Sequence, residues 1–354
     1  MMSWEDSVRR VTPYVPGEQP KVEGELIKLN TNEFPYPPSP AAQEAVRNSD
    51  IASLRLYPDP FCDPLRSELA KHHGLSPKQV FVGVGSDDVL SMAFLTFFYS
   101  DKPVLFADIT YSFYDVWADV YRIPYELKPL DENLRIRKED YLCDNGGIVI
   151  ANPNAPTGIS VSGDISVIEE IVRANRDSVV IIDEAYVDFG GVSALPLIDR
   201  YDNLLIVRTF SKSRAFAGMR IGYAMGNEKL IGYMNDVKFS VNSYTLNRPA
   251  IDYGVAVLKD EEYFKDTVAK VIKTREWTGK ALSDLGFSVT DSKTNFVFAS
   301  HRETDAEYIF ERLKEKKIYV RHFKQPRIRN YLRISVGTDD EMKRLMEELK
   351  RILP

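Results

Sequence analysis

Cysteine and histidine are scarce in this sequence, which has two cysteines and four histidines among 354 residues. Cys62 and Cys143 are too few for a disulfide framework, and this scarcity is typical of proteins from a reducing compartment. Neither HxxxH nor CxxC spacing occurs, so we expect no metal site. Chemistry must therefore come from other side chains or from a bound cofactor.

Long apolar runs, a secretory signal and a strong net charge are also missing. The longest apolar run, near residues 92–98, is far shorter than the ~18 residues that span a bilayer. The first ten residues, MMSWEDSVRR, contain acids and no apolar segment, so we expect no signal peptide. The net charge of −6 offers no attraction for DNA or anionic membranes. These absences predict a cytoplasmic protein without nucleic-acid or membrane partners.

The middle of the chain alternates continuous apolar runs with amphipathic segments. The runs begin at Gln79, Pro103, Gly147, Ser178, Leu204 and Arg220. Continuous runs are typical of parallel strands that are covered on both faces. Helical patterns at 87–98, 112–121 and 165–174 separate some of them. This rhythm predicts an α/β fold with a doubly wound, mostly parallel sheet.

The two ends of the chain follow other patterns. Seven prolines between residues 13 and 40 predict an extended arm, because proline interrupts regular elements. A long helical stretch at 248–285 precedes an α+β pattern with strands at 295–299 and 331–336. We therefore predict an arm at 1–45 that contributes to the small domain and to dimer contacts, a large domain at 46–250 and a small C-terminal domain at 251–354.

Ligands of open α/β sheets bind beyond the carboxyl ends of the strands, so residues that follow each strand are the candidates. Ser86 and Asp87 follow Gly83-Val-Gly and begin a helix, where free N–H groups can bind a phosphate or simply form a capped turn. Asn154, in Asn-Pro-Asn-Ala-Pro-Thr-Gly, can donate to a ring oxygen or belong to an ordinary loop.

Two further strand ends carry charged residues. Asp183 and Tyr186 follow an apolar run, where an acid is costly unless it meets a cation or a donor. Ser211 and Lys212 follow the next run, and Arg220 comes shortly after. A lysine can form a Schiff base with a carbonyl cofactor, and an arginine can bind its phosphate. Taken singly, each residue could equally be a helix cap or a surface charge.

Together these residues match the requirements of pyridoxal 5'-phosphate. That cofactor needs a lysine for its carbonyl carbon, an acid for its ring nitrogen, and hydroxyl, amide and arginine donors for its phosphate. Lys212, Asp183 and Arg220 would meet these needs, with Asn154 and Tyr186 on the ring oxygen. Lys212 would then be free to shuttle a proton in catalysis.

The sequence resembles the fold-type-I pyridoxal-phosphate aminotransferases, and among them the histidinol-phosphate aminotransferases. The resemblance extends over almost the whole chain, from Thr12-Pro-Tyr14 and Asn30-Thr-Asn32 to Leu332-Arg333-Ile-Ser-Val-Gly. It implies a large sheet of the seven-stranded type, with a smaller α+β domain. It also implies Tyr111 as a catalytic residue on the cofactor ring. It further implies a homodimer in which Tyr57 of Tyr-Pro-Asp reaches the neighbouring active site and binds the cofactor there. Phe34-Pro-Tyr-Pro and Arg214 depart from the family's usual residues.

The resemblance implies transamination of histidinol phosphate with 2-oxoglutarate, giving imidazole-acetol phosphate and glutamate in histidine biosynthesis. The expected substrate residues are Tyr14, Asn32, Tyr57, Asn154, Arg321 and Arg333. Arg321 could equally be a solvated strand end. Three alternatives remain at this point: an aromatic amino-acid aminotransferase, a decarboxylase similar to threonine-phosphate decarboxylase, and a nucleotide-binding module on the glycine turn.

Overall fold

The structure is a computed structural model that describes residues 3–20 and 25–353. Residues 1–2, 21–24 and 354 lie outside the described residues. Residues 1–2 and 21–24 are part of the predicted arm, 1–2 also belong to the segment considered for a signal peptide, and 354 ends the predicted small domain. In the described part, no helix combines the length and apolar character needed to cross a membrane.

Strands and helices alternate along most of the described chain. The strands are β1 Ile27–Lys28, β2 Val80–Gly83, β3 Val104–Ala107, β4 Tyr125–Lys128, β5 Gly147–Ala151, β6 Val180–Asp183, β7 Leu204–Thr209, β8 Gly222–Gly226, β9 Phe287–Val289, β10 Phe296–His301, β11 Ile318–Tyr319, β12 Arg321–His322 and β13 Leu332–Ser335. The helices are α1 Pro40–Arg47, α2 Asp63–His73, α3 Gly85–Phe97, α4 Tyr114–Tyr121, α5 Ser166–Ala174, α6 Glu228–Val241, α7 Arg248–Lys259, α8 Glu261–Asp284, α9 Ala306–Glu315 and α10 Asp339–Ile352.

A seven-stranded sheet forms the larger unit, in the order β2-β8-β7-β6-β5-β3-β4. All neighbouring strands are parallel except β8, which runs antiparallel to both β2 and β7. The prediction of a mostly parallel α/β sheet is therefore confirmed. The apolar runs did not reveal β4, because this edge strand is half-exposed and polar at Glu126 and Lys128.

Both faces of this sheet are covered. Alternate residues of β6, such as Val180 and Ile182, pack in one core with side chains of α2, α5 and α7. The intervening residue Ile181 packs in a second core with α3, α4 and α6. Burial of one such side chain contributes about 1.5–3 kcal/mol, so strands covered on both faces favour unbroken apolar sequences.

The smaller unit is an antiparallel sheet in the order β12-β13-β10-β9, which packs against α9 and α10. The arm reaches this unit through β1, which pairs in parallel with β11. The arm also contains α1, so it is not extended throughout. The helical stretch at 248–285 is two helices, α7 and α8, because Asp260 has non-helical dihedral angles.

Parallel order places the carboxyl ends of β5, β6 and β7 at one edge of the large sheet. The loops that follow these strands begin at Asn152, Glu184 and Phe210. This edge therefore collects the side chains on which the predicted chemistry depends.

Candidate active site

A cavity of about 110 Å³ lies beyond these strand ends. Its lining includes Ser86, Asp87, Tyr111, Asp183, Tyr186, Ser211, Lys212 and Arg220. Eight of the ten residues predicted to bind the cofactor thus meet around one space. Asn154 and Tyr57, the other two, do not line it.

Asp183 ends β6 and is only 5% exposed. The Tyr114 hydroxyl donates to its Oδ2 across 2.8 Å, and the Ala185 N–H donates to its Oδ1 across 3.1 Å. Burial raises the pKa of the Asp183 carboxyl to about 6, although these two hydrogen bonds oppose the shift. Among the described side chains, no lysine or arginine forms an ion pair with Asp183. A protonated ring nitrogen would provide the cation that this buried carboxylate lacks.

The backbones of β8 and of the first turn of α3 are in close contact next to the cavity. A Cβ at Gly222 would lie 2.2 Å from the carbonyl carbon of Gly85 and 2.3 Å from the nitrogen of Ser86. Gly85 itself has a φ of +83°, which favours glycine. Two glycines therefore let β8 approach the first turn of α3, where backbone N–H groups are available for an anion.

Arg220 lies above this turn in a left-handed backbone conformation, with a φ of 54°. Its Nη2 lies 3.2 Å from Oδ2 of Asp87, and its Nη1 lies 3.5 Å from the Ser211 hydroxyl. Tyr111 donates to the other oxygen of Asp87 across 2.7 Å. Asp87 thereby fixes both Arg220 and Tyr111. Burial, followed by the charge of Asp87, raises the pKa of the Tyr111 phenol well above its usual value, so this hydroxyl stays protonated.

The amine of Lys212 is close to the N-terminal arm. Nζ lies 3.4 Å from the carbonyl oxygens of both Thr31 and Asn32, and 5.5 Å from the centre of the Tyr186 ring. The Asn32 amide donates to the Tyr186 hydroxyl across 2.9 Å. Ser335 anchors Asn32 through two hydrogen bonds of 2.8 and 3.1 Å. The arm and the small unit thus contribute to the surroundings of the lysine.

Arg214, one of the departures from the family pattern, holds the loop that follows Lys212. Its Nη2 lies 2.8 Å from Oε1 of Glu261 and 3.2 Å from Nε2 of His72. Its guanidinium lies 3.6 Å from the centre of the Phe264 ring. Because Glu261 and Phe264 belong to α8, this arginine ties the lysine loop to the helix that leads into the small unit.

Two arginines face each other on the small sheet. Arg321 and Arg333 are directly paired in the register of β12 and β13. Nη2 of Arg333 donates to the Asn30 carbonyl across 3.1 Å, whereas its buried Nε has no hydrogen-bond partner in the described part of the chain. Burial and the neighbouring Arg321 lower the pKa of the Arg333 guanidinium. Within the described chain neither arginine forms an ion pair with a carboxylate, so this pair can attract an anion.

Six predicted residues do not line this cavity: Asn32, Arg321 and Arg333, described above, and Tyr14, Tyr57 and Asn154. Tyr14 stacks on Phe113 with ring centres 4.1 Å apart. Tyr57 is 78% exposed and stacks on Tyr244 at 4.7 Å. The Asn154 side chain is buried. Its amide donates to the Ile109 carbonyl across 2.9 Å and to the Thr157 hydroxyl across 3.1 Å, and its Oδ1 accepts from the Thr110 hydroxyl across 2.8 Å. Sequence reasoning missed Tyr114, which no motif distinguishes from the other tyrosines of the chain.

The fold and the site together define the class of protein. A large, mostly parallel sheet, a smaller antiparallel sheet, and a lysine and buried acid at the strand ends are the arrangement of the fold-type-I transferases. The chain belongs to the family of class I and II aminotransferases, whose family model matches residues 24–349.

Individual relatives agree with this assignment. The chain is 51% identical over 352 residues to the histidinol-phosphate aminotransferase of Lactococcus lactis subsp. cremoris (strain MG1363), covering 99% of this chain and 98% of that protein. It is 51% identical over 350 residues to the enzyme of the same name from Clostridium acetobutylicum, covering 99% of each. The crystal structure of histidinol-phosphate aminotransferase from Sinorhizobium meliloti in complex with pyridoxal-5'-phosphate matches with a TM-score of 0.83 and 25% identity, over 92% of this chain and 90% of that one. The resemblance inferred from the sequence is confirmed.

Proposed function

We propose that this chain catalyses the pyridoxal-phosphate-dependent transamination of histidinol phosphate with 2-oxoglutarate, a reaction of histidine biosynthesis, as a cytoplasmic homodimer. The observation that carries the proposal is the meeting of Lys212 with the uncompensated carboxylate of Asp183 in one cavity. The proposed substrate is taken from the two relatives at 51% identity, which are named histidinol-phosphate aminotransferases.

The residues present fit this cofactor. The buried carboxylate of Asp183 would pair with the ring nitrogen, and Tyr186 would donate to the ring oxygen. The first turn of α3, Ser211 and Arg220 would bind the phosphate, because Ser86 of that turn lines the same cavity as Ser211 and Arg220, and free N–H groups at a helix start and an arginine favour an anion. Tyr111, which also lines the cavity, would cover the ring.

When bound, pyridoxal phosphate supplies a carbonyl carbon for the substrate amine and a ring that withdraws electrons. Lys212 would then act as the general base and acid, taking a proton from the substrate Cα and delivering it to C4′, the former carbonyl carbon of the cofactor. Among the residues that the structure describes, its Nζ lies near two carbonyl oxygens and the Tyr186 ring and forms no ion pair with a carboxylate, which suits it to this role. Asp183 holds the ring nitrogen in its protonated state, and Tyr111 keeps its proton beside Asp87.

The paired arginines of the small sheet would bind the phosphate of the substrate. Arg333 has a free, buried Nε, and Arg321 lies beside it, so together they present several N–H donors to an anion. Tyr14 would close this end from the arm, and Asn32 would fix Tyr186 beside the reacting atoms. Asn154 would hold in place its neighbours Pro153 and Ala155, which line the cavity on the side of the cofactor ring.

The homodimer and the three-part division of the chain are also part of the proposal. Tyr57 is largely exposed, and nearby apolar side chains such as Ile51 and Leu56 are more than half exposed. A second copy of the chain would cover them, and Tyr57 would then enter the neighbouring site. Sedimentation at several concentrations tests the dimer. Mixed dimers of a Tyr57 variant and a Lys212 variant should regain about one working site.

A substrate panel read by cofactor absorbance tests the reaction. Histidinol phosphate should convert the bound cofactor to its amine form, and 2-oxoglutarate should reverse the change. If an aromatic amino acid converts it while histidinol phosphate does not, the chain is an aromatic aminotransferase. Release of carbon dioxide from threonine phosphate without any need for 2-oxoglutarate would identify a decarboxylase instead.

A further inference from the structure

Tyr114 is a buried tyrosine in direct contact with Asp183. It is the first residue of α4, and its side chain is completely buried. Its ring is surrounded by the rings of Phe94, Phe106 and Trp117 at centre distances of 5.8 to 6.3 Å. These contacts fix the direction of its hydroxyl, which donates to Asp183 across 2.8 Å. Burial raises the pKa of the phenol well above its usual value, so it remains a donor throughout the physiological range.

The hydrogen bond from Tyr114 affects the ionisation of Asp183, because the other surroundings of this carboxyl favour its protonated form. Burial favours the protonated carboxyl, and the nearby charges of Asp87 and Glu184 act in the same direction. Only hydrogen bonds among the described neighbours oppose them, from the Tyr114 hydroxyl on Oδ2 and the Ala185 N–H on Oδ1. Glu184 is itself paired with Arg208 and faces Ser193, so its charge is partly compensated.

We propose that Tyr114 is a positioning residue that keeps Asp183 ionised, so that the proton shared with the bound cofactor stays on the ring nitrogen. The inference rests on the cofactor part of the proposed function. A donor to the carboxylate lowers its proton affinity, and this shifts the shared proton towards the nitrogen. Without that donor, the carboxyl would take the proton and the ring would withdraw electrons less strongly.

The test uses holoenzyme loaded with pyridoxal phosphate that carries ¹⁵N in its ring, because the ¹⁵N chemical shift separates the protonated from the neutral nitrogen. At pH 7 to 8 the unchanged protein should give the shift of a protonated nitrogen. Tyr114→Phe keeps the ring that fills the core and removes only the hydroxyl. Because hydrogen bonds to charged groups are worth about one to two pKa units, the equilibrium should move about 10- to 100-fold towards the neutral nitrogen.

Tyr141→Phe is the matched control. Tyr141 is also buried, at 1% exposure, but its hydroxyl has no hydrogen-bond partner among the described residues, and its ring belongs to the other core of the sheet. This variant should give the shift of the unchanged protein. In an Asp183→Asn background, Tyr114→Phe should have little further effect, because the carboxylate on which it acts is gone.

The outcomes separate the two proposals. If the unchanged protein takes up no pyridoxal phosphate, the proposed function fails and this inference fails with it. If the cofactor binds but Tyr114→Phe leaves the ¹⁵N shift unchanged, the inference alone is overturned. An equal change in Tyr141→Phe would also overturn it, because any lost buried hydroxyl would then have the same effect.

Discussion

The crossing of β8 over the first turn of α3 predicts a strong effect for Gly222→Ala. The added Cβ would lie 2.2 Å from the Gly85 carbonyl carbon and 2.3 Å from the Ser86 nitrogen. Ordinary carbon contacts begin near 3.5 Å, so one backbone must move by about 1 Å. Overpacking of this kind costs roughly 1–3 kcal/mol of stability. The displaced turn should also lose about one hydrogen bond to the cofactor phosphate, worth roughly 1.5–3 kcal/mol, and hence bind it about 10- to 150-fold more weakly.

Gly232→Ala is the control for this prediction. Gly232 lies on the exposed side of α6, and a Cβ there would meet nothing within 4 Å. Alanine is the better helix former, so this variant should gain about 0.5–1 kcal/mol and bind the cofactor normally. Thermal unfolding and absorbance titration with pyridoxal phosphate measure both quantities. Normal cofactor affinity in Gly222→Ala would refute the assignment of this turn to the phosphate.

Two further predictions concern the acid and the arginine pair. Since the folded pKa of Asp183 is about 6 and its ordinary value is 3.8, the folded protein binds this proton more tightly than the unfolded chain, so cofactor-free protein should lose stability as the pH rises from about 4 to about 6. Asp183→Asn should remove this pH dependence, so above pH 6 its free energy of unfolding should exceed that of the unchanged protein by about 2–3 kcal/mol. Urea unfolding across pH measures this difference. A variant that is less stable than the unchanged protein at pH 8 would contradict the prediction. Arg333→Lys should raise the KM for histidinol phosphate about 10- to 100-fold, because lysine lacks the planar guanidinium that binds two phosphate oxygens at once. The Kd for pyridoxal phosphate should stay unchanged. An unaltered KM would show that Arg333 does not bind the substrate.

The large sheet could be predicted from the sequence because each strand carries its own signal. The runs at β5, β6 and β7 are apolar at every position, since alternate residues fill different cores. Parallel order then brings Asp183 and the Lys212 loop to one edge, so their meeting follows from the topology. In contrast, β1 and β11 have two residues each and exist only through their pairing across nearly 300 residues, which leaves no local pattern.

The finer organisation of the site depends on contacts that motifs do not encode. Tyr114 reaches Asp183 only because α4 packs on the face of the sheet above β6. The Arg214 contacts to His72 and Glu261 join three separate elements. Asn154 shows the opposite case: the motif was recognised, yet its amide donates to the Ile109 carbonyl in the loop after β3 and to the Thr157 hydroxyl in its own loop. Side-chain direction in such loops is decided by tertiary packing.

The central claim is that Lys212 holds pyridoxal phosphate as the catalytic amine. Borohydride reduction of the loaded protein, followed by digestion and mass spectrometry of the peptides, tests it most directly. We expect a phosphopyridoxyl group on Lys212 and none on the buried Lys238, whose amine donates to the Pro60 carbonyl instead. Lys212→Ala should abolish both the label and nearly all turnover. A label on another lysine, or a Lys212→Ala protein with normal transaminase rates, would contradict the account.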